Sequence, residues 1–199
     1  MATVRAYIGL GANVGDARAT LSAAIDALVA MPNTTLMGVS SLYVTTPVEV
    51  SDQADFHNAV VALEVPKGSP GGTGAIALLL GLKSIERAFG RVERFRYGPR
   101  ELDLDLLIFG DDHLSVERPP DGRSIDPAKA QATKFLEIPH PKANARLFVL
   151  APLAELAPTL VPPGWGESVE QAKARRLEVE GESAVRCVAR WDPLEEDWV

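Results

Sequence analysis

Two aspartates separated by one residue give this sequence its clearest chemical signal. Asp103 and Asp105 alternate with apolar residues in a run from Leu102 to Ile108, the pattern of a β-strand. On such a strand both carboxylates lie on one face, about 7 Å apart along the backbone. Like charges held this close repel unless a cation lies between them. Hard divalent ions such as Mg²⁺ prefer carboxylate oxygens and add water and substrate phosphates as further ligands. The pair is therefore a candidate metal site, although an edge strand with a solvated acidic face would show the same alternation.

The segment before the pair carries the opposite charge. Between Gly90 and the strand the sequence contains Arg91, Arg94, Arg96 and Arg100. Guanidinium groups bind phosphate oxygens through two parallel hydrogen bonds. Arginines beside metal-binding carboxylates favour chemistry on an oligophosphate, where metal and guanidinium together offset the negative charge. A solvated basic loop is the plainer alternative.

A histidine farther along the chain is a second candidate for phosphate contact. His140 lies between Pro139 and Pro141, which favours an extended backbone at this residue. A lone histidine is usually structural, but Arg146 follows six residues later. We therefore expect His140 and Arg146 to contact phosphate.

The elements that must position these residues are predicted from hydrophobic spacing. Strands are expected over residues 4–10, 35–44 and 56–65, and helices over residues 17–31 and 75–89, with Asp16 and Thr73 as their N-caps. The glycines of residues 9–16 are spaced G-x-G-x-x-x-G, which departs from both the dinucleotide and the phosphate-loop motifs. Glu86 falls near the apolar side of the second helix, either as a boundary residue or in support of the site. Residues 111–134 form a polar, proline-rich excursion, followed by a short helix over 154–157, a helix over 169–177, a strand over 185–189 and a frayed acidic end.

This order of elements predicts an α+β sandwich of the split-βαβ type. A mainly antiparallel sheet would carry helices on one face and leave the other open for a groove. Asn58, Asp103 and Asp105 would then lie on the open face.

Composition limits the classes of protein. The chain has 199 residues, 46% of them hydrophobic, a net charge of −7 and one cysteine. These values fit a single globular domain without an internal disulfide, and the acidic balance argues against non-specific nucleic-acid or membrane binding. The N-terminus lacks a signal-peptide core, and no apolar run approaches a membrane span. We expect a soluble, cytoplasmic protein with small-molecule substrates, no nucleic-acid partner and no membrane partner.

Five sequence blocks resemble the 6-hydroxymethyl-7,8-dihydropterin pyrophosphokinase family of folate biosynthesis. They occur in the family's order and with nearly its spacing, over about residues 4–164. They are YIGLGANVGD at 7–16, SLY at 41–43, DQADFHN at 52–58, GPRELDLD at 98–105 and IPHP at 138–141.

The resemblance implies a ferredoxin-like fold and transfer of the pyrophosphoryl group of ATP to the hydroxymethyl group of the pterin, giving AMP. It implies that ATP is a co-substrate, that Asp103 and Asp105 bind two Mg²⁺ ions, and that Arg91 and Arg100 are catalytic.

The remaining positions implied by the resemblance fall into two groups. The pterin-binding group comprises Thr45, Pro47, Val48, Phe56, Asn58, Tyr97 and Phe148. The ATP-binding group comprises Arg91, Arg100, His140 and Arg146.

The sequence also departs from the family pattern. Glu93 stands where the family has an arginine, with Arg94 one position later, and Tyr97 stands where it often has tryptophan. Whether Arg94 replaces the missing arginine stays open. We expect a catalytic domain over 1–164, a C-terminal extension over 165–199 and a monomer.

Two other functions fit part of the pattern. One is another Mg-ATP phosphotransferase of ferredoxin-like fold, such as a nucleotidyl transferase, which the Asp-x-Asp sequence alone would also suit. The other is a non-catalytic binding module in which Glu93 marks the loss of activity. Formation of AMP, rather than ADP or free pyrophosphate, distinguishes the predicted reaction from both.

Overall fold

The computed structural model of the chain describes residues 2–46, 54–90, 100–119 and 133–199. Some of the residues singled out from the sequence lie outside these ranges: Pro47, Val48, Arg91, Glu93, Arg94, Arg96 and Tyr97.

The described residues form strands and helices that alternate along most of the chain. In chain order they are β1 (Thr3–Ala12), α1 (Ala17–Val29), β2 (Thr35–Val39), β3 (Leu42–Thr45), β4 (Phe56–Pro66), α2 (Thr73–Ala88), β5 (Asp103–Phe109), β6 (Leu114–Glu117), β7 (Lys134–Ile138), α3 (Leu147–Leu156), α4 (Val169–Glu180), β8 (Arg186–Ala189), β9 (Trp191–Asp192) and β10 (Asp197–Trp198). None of these helices is both long enough and apolar enough to cross a membrane.

The main sheet is antiparallel and has the strand order β5-β1-β4-β3-β8, with β2 also pairing with β4. The succession β1-α1-β2-β4-α2-β5 is the βαββαβ arrangement of a ferredoxin-like fold. The predicted α+β class is therefore confirmed. In the sheet, β1 lies between β4 and β5, so residues from three parts of the chain meet along β1.

Alternation along the strands separates two apolar layers. Ile8 of β1 and Leu63 of β4 point toward α1 and α2, where they pack against Leu21 and Leu82 and are fully buried. On the opposite face, α3 and α4 pack against Tyr7, Val60 and Leu107. This second layer covers part of that face, whereas the start of β5 stays partly exposed.

The strand predicted over residues 35–44 is interrupted at Ser40, so β2 and β3 are separate. The Ser40 amide donates to the carbonyl of Val60 at 3.0 Å, and the Ser40 hydroxyl accepts from the Val60 amide at 2.9 Å. The Ser40 hydroxyl thus accepts the ladder hydrogen bond that its carbonyl would otherwise accept, and β2 ends at the preceding residue. The alternation of side chains in the sequence does not indicate that a serine hydroxyl replaces a backbone acceptor.

Of the two predicted N-caps, one is confirmed and one is wrong. The Asp16 carboxylate accepts from the Ala19 amide at 3.0 Å at the start of α1. Helix α2 instead begins after Gly72, which adopts a left-handed φ of 78°. The Thr73 hydroxyl bonds to the backbone of Ser69, outside the helix.

The prediction of a frayed acidic end was wrong. Trp198 is fully buried, and its indole N–H donates to the carbonyl of Ser40 at 2.8 Å. The Asp197 carboxylate accepts from the hydroxyl of Ser22 at 2.6 Å and from the guanidinium of Arg18 at 2.9 Å. The hairpin of β6 and β7 was not predicted from the sequence, and α3 begins at Leu147, well before the predicted residue 154.

We expect Trp198→Ala to lower the free energy of unfolding by about 3–5 kcal/mol, because it empties a fully buried site. Trp198→Phe keeps most of the ring but loses the bond to Ser40, and should cost about 1–2 kcal/mol. Leu194→Ala, at a residue 92% exposed, is the control and should change stability by less than about 0.5 kcal/mol. Urea unfolding measures all three, and equal losses in Trp198→Ala and the control would contradict the packing described.

The side-chain carboxylate of Asp197 should also give a pH signature. The hydroxyl of Ser22 lowers the pKa of Asp197 below its ordinary value of 3.8, and the Trp198 amide and Arg18 act in the same direction. Asp197 therefore contributes stability at pH values above 3.8 that is lost as the pH falls through its lowered pKa. An NMR titration should place its midpoint below 3.8, and Ser22→Ala should move the midpoint upward. A midpoint unaffected by Ser22→Ala would show that this hydroxyl is not the main cause.

Candidate active site

Three residues on neighbouring strands form a row across the sheet. Gly11 of β1 is paired with Asp103 of β5 on one side and with Asn58 of β4 on the other. A Cβ atom placed on Gly11 would lie 3.5 Å from the Asn58 Oδ1 atom and 4.0 Å from the Asp103 Cβ atom. The glycine therefore leaves a gap between a carboxamide and a carboxylate on one face. Asp105 lies one step along the same face, opposite Gly9.

The backbone between the two aspartates is held from the helical side. The Leu104 amide donates to the Oε1 atom of Glu86 at 2.8 Å, and the Leu104 carbonyl accepts from the Nζ atom of Lys83 at 3.0 Å. The two α2 side chains also pair with each other at 2.8 Å. Among the described residues β5 is the last strand of the sheet, so the ion pair occupies the edge where another strand would otherwise bind.

This placement answers the question that the sequence left open for Glu86. Its side chain is 2% exposed and bonds to the backbone of β5. A buried carboxylate is costly unless it is paired and hydrogen-bonded, and Glu86 has both kinds of partner. From α2, Glu86 holds the backbone between Asp103 and Asp105.

Arg100 already supplies a cation to one of the two carboxylates. Its guanidinium forms an ion pair with Asp103, and both side chains are partly exposed. The structure thus brings together one of the predicted arginines and one of the predicted metal ligands. The guanidinium of Arg100 thus offsets part of the charge of Asp103 without a metal ion.

The described residues of the predicted pterin-binding group converge at the start of β4. Asn58 is 7% exposed, and its Nδ2 atom donates to the Oγ1 atom of Thr45 at 3.1 Å and to the carbonyl of Phe56 at 3.3 Å. Thr45 is itself paired with Phe56 in the sheet. With its N–H groups directed to these partners, Asn58 presents its Oδ1 atom toward Gly11.

His140 lies beside β5 and close to the aspartates. Its backbone amide donates to the carbonyl of Leu107 at 2.8 Å, and its Nδ1 atom accepts from the Lys142 amide at 3.3 Å. An Nδ1 atom that accepts leaves the neutral ring with its proton on Nε2.

The charges around this ring act in opposite directions. Burial lowers the pKa of His140 below its ordinary value of 6.5, and Arg146 and Lys142 lower it further, whereas the carboxylates of Asp105 and Asp103 raise it. Burial dominates, so the imidazole is neutral near pH 7. The predicted phosphate contact would then come from an N–H donor and not from an imidazolium cation.

The structure joins two residues that were assigned to different substrates. The Arg146 guanidinium carbon lies 5.5 Å from the ring centre of Phe148, within the range of a cation–π interaction. Phe148, at the start of α3, also packs against the apolar layer under that helix. One face of the aromatic ring is thus occupied by a residue expected on the ATP side.

The donor set fits a metal ion that is completed by its substrate. Among the described residues, no group of three or more His, Cys, Asp or Glu side chains could hold a metal. Asp103 and Asp105 alone provide two carboxylates on one strand face. Mg²⁺ is commonly bound by one or two carboxylates together with water and substrate phosphates. The residues therefore suit a magnesium ion that arrives with a phosphate ligand.

One residue of this region was missed by the sequence analysis. Asn13, immediately after β1, is 6% exposed and bonds to the backbones of Ala54 and Arg100. It lies within the YIGLGANVGD block at 7–16, but no role was predicted for it. An asparagine two residues from a glycine on either side is typical of a turn, so nothing in the local sequence indicates its distant partners.

Comparison with known proteins gives the family of this chain. A sequence model of the 7,8-dihydro-6-hydroxymethylpterin-pyrophosphokinase family matches residues 7–158. The chain belongs to this family. The matched range includes Asp103, Asp105 and Asn58, as well as His140 and Arg146.

Two relatives of the family are each 39% identical to this chain over the aligned residues. A 2-amino-4-hydroxy-6-hydroxymethyldihydropteridine pyrophosphokinase of Pseudomonas aeruginosa is 39% identical over 159 residues, covering 80% of this chain and 84% of the relative. A protein of the same name from Methylorubrum extorquens is 39% identical over 171 residues, covering 86% and 92%.

Solved structures support the fold independently of sequence. A crystal structure of a Plasmodium falciparum HPPK-DHPS triple mutant superimposes with a TM-score of 0.71 at 14% identity, covering 100% of this chain and 48% of that one. The wild-type protein gives a TM-score of 0.70. At this identity the likeness concerns the fold, and the chain spans about half the length of those structures.

We expect Glu86→Ala to lower the free energy of unfolding by about 2 kcal/mol, because it leaves the buried Leu104 amide without this acceptor. The same change should weaken binding of a Mg·ATP analogue, since the backbone between the aspartates loses its support. Glu86→Gln keeps an acceptor and should cost less on both counts. Urea unfolding and calorimetric titration measure the two effects.

Glu178→Gln, at an exposed position of α4, serves as the control for these variants. It should leave both stability and analogue affinity unchanged. If Glu86→Ala destabilised the protein yet bound the analogue normally, the ion pair would hold the fold without positioning the aspartates.

Proposed function

We propose that this chain transfers the pyrophosphoryl group of ATP to 6-hydroxymethyl-7,8-dihydropterin, giving AMP and the pterin diphosphate for folate biosynthesis. Family membership supports the reaction. The observation that carries it is the row of Asp103, Gly11 and Asn58, which sets a metal-binding carboxylate beside a buried carboxamide with open space between them. A phosphate donor and a flat polar acceptor can then meet over Gly11.

In this proposal Asn58 reads the edge of the pterin ring. Its N–H groups are directed to Thr45 and Phe56, so its Oδ1 atom accepts from the N–H groups of the pterin. Phe56 and Phe148 supply aromatic surface to the ring. From outside the described residues, Pro47, Val48 and Tyr97 complete this subsite in the proposal.

Asp103 and Asp105 hold two Mg²⁺ ions in this proposal, with ATP as the co-substrate. Bound there, the ions would offset the charge on the phosphates and promote attack by the hydroxymethyl oxygen. Two carboxylates on one strand face suit ions that keep phosphate and water among their ligands.

The phosphate side is assigned to Arg91, Arg100, His140 and Arg146. Arg100 pairs with Asp103, so its guanidinium lies next to the proposed metal site. His140 is neutral and donates from Nε2, which allows contact with a phosphate oxygen without a net charge. Transfer of this kind depends on alignment and charge stabilisation more than on covalent catalysis by the protein.

The remaining expectations concern the organisation of the chain. We propose a monomeric cytoplasmic enzyme whose catalytic unit is residues 1–164. The extension over 165–199 supports that unit through β8, which pairs with β3, and through the buried Trp198. Thr45 lies at the end of β3, so this support reaches the pterin side of the site.

Substitution of either aspartate tests the proposal. Asp103→Asn and Asp105→Asn should each lower the rate of AMP formation at least 100-fold, because they remove carboxylate ligands without changing side-chain size. The fold should persist, since the apolar neighbours of both residues are untouched. A coupled AMP assay with ATP, Mg²⁺ and the hydroxymethylpterin measures the rate, and circular dichroism checks the fold.

Asp111→Asn, at an exposed position beyond the far end of β5, is the matched control and should keep full activity. Near-normal AMP formation in either site variant would contradict the metal assignment. No AMP from the unsubstituted protein would contradict the proposed reaction as a whole.

A further inference from the structure

A buried asparagine extends the pairing of β1 with β5 beyond the last paired residues. The backbone amide of Asn13 donates to the carbonyl of Arg100 at 3.0 Å, and its side-chain Oδ1 atom accepts from the amide of Arg100 at 2.8 Å. Gly11 and Asp103 form the last pair of the ladder itself. Asn13 thus holds Arg100 by both of its backbone hydrogen-bonding groups.

The same side chain also reaches the other neighbour of β1. Its Nδ2 atom donates to the carbonyl of Ala54 at 3.1 Å, two residues before β4 begins at Phe56. The orientation of the carboxamide is unambiguous, because the Ala54 carbonyl requires a donor and the Arg100 amide requires an acceptor. One side chain therefore bonds to the backbones that lead into both β4 and β5.

These contacts are not those of an ordinary turn asparagine. Asx turns join a side chain to backbone two residues away. Here the partners are 41 and 87 residues distant in the sequence. At 6% exposure, the carboxamide has lost most of its contact with water, so removing it leaves these backbone groups without their partner.

The two backbones lead to opposite halves of the proposed site. Arg100 carries the guanidinium that pairs with Asp103 on the phosphate side. Ala54 precedes Phe56 and Asn58 on the pterin side. We propose that Asn13 is a positioning residue that fixes the phosphate half of the site against the pterin half, an inference that rests on the proposed function.

The chemical need for such a residue follows from the reaction. Transfer between two bound substrates depends on their relative placement, and a misplacement of about 1 Å can cost about 100-fold in rate. Each substrate contacts mainly its own half, so loosening the link should leave binding of each nearly intact. The loss should therefore appear in kcat, with little change in either KM.

Two substitutions separate the bonds of Asn13. Asn13→Ala removes the side-chain bonds to Ala54 and Arg100 and should lower kcat for AMP formation by about 10- to 100-fold, with each KM within about 3-fold of the unsubstituted value. Asn13→Asp keeps an acceptor for the Arg100 amide but loses the donor to Ala54. Asn13→Asp should also lower kcat. If Asn13→Ala does not fold, the kcat of Asn13→Asp tests whether the side chain positions the two halves of the site.

Hydrogen exchange of the Arg100 amide gives a readout that requires no substrate. Exchange at this amide should speed up at least 10-fold in Asn13→Ala and stay slow in Asn13→Asp, because only the second keeps the acceptor. Ser22→Ala, which removes a hydrogen bond between α1 and the C-terminus, is the control for general loosening and should change neither kcat nor this exchange rate.

The outcomes separate this inference from the proposed function. Lower kcat with unchanged KM and a freed Arg100 amide in Asn13→Ala would support it. A rise in KM at constant kcat, or a loss no larger than in Ser22→Ala after correction for the folded fraction, would overturn it. Failure of the unsubstituted protein to form AMP would refute the reaction, while the exchange rates would still show whether Asn13 holds Arg100.

Discussion

The candidate site depends on how the outer edge of β5 is held between its two aspartates. An edge strand exposes unpaired amides and carbonyls, and at Leu104 these groups are bound by Glu86 and Lys83 of α2. The ion pair makes the bonds that a neighbouring strand would make, while leaving the opposite face of the strand open. Two like charges can therefore be kept side by side on β5 without another strand covering them.

The other side of β5 is set by glycines of β1. Gly9 and Gly11 lie opposite Asp105 and Asp103, so no side chain separates the carboxylates from the neighbouring strand. Beyond Gly11 comes Asn58, whose amide is fixed by Thr45. Three antiparallel strands thus place two carboxylates and a buried carboxamide next to each other, and the pairing register sets their spacing.

The sequence predicts those parts of the site that depend on local periodicity or on family blocks. Alternation along β5 placed both aspartates on one face, and the blocks identified Asn58 and His140. The roles of Glu86 and Asn13 could not be predicted in this way, because their backbone partners lie 18 to 87 residues away. The lowered pKa of His140 arises from burial, and the ordered C-terminus depends on the pocket that receives Trp198, so neither is visible in local composition.

The most direct test of the central claim is the identity of the phosphorus-containing products. Phosphorus NMR of a reaction with ATP, Mg²⁺ and 6-hydroxymethyl-7,8-dihydropterin should show AMP and a pterin diphosphate appearing in equal amounts as ATP is consumed. Both products should be absent when the pterin is omitted. Formation of ADP with a pterin monophosphate, or of free pyrophosphate with an adenylylated pterin, would contradict pyrophosphoryl transfer at this site.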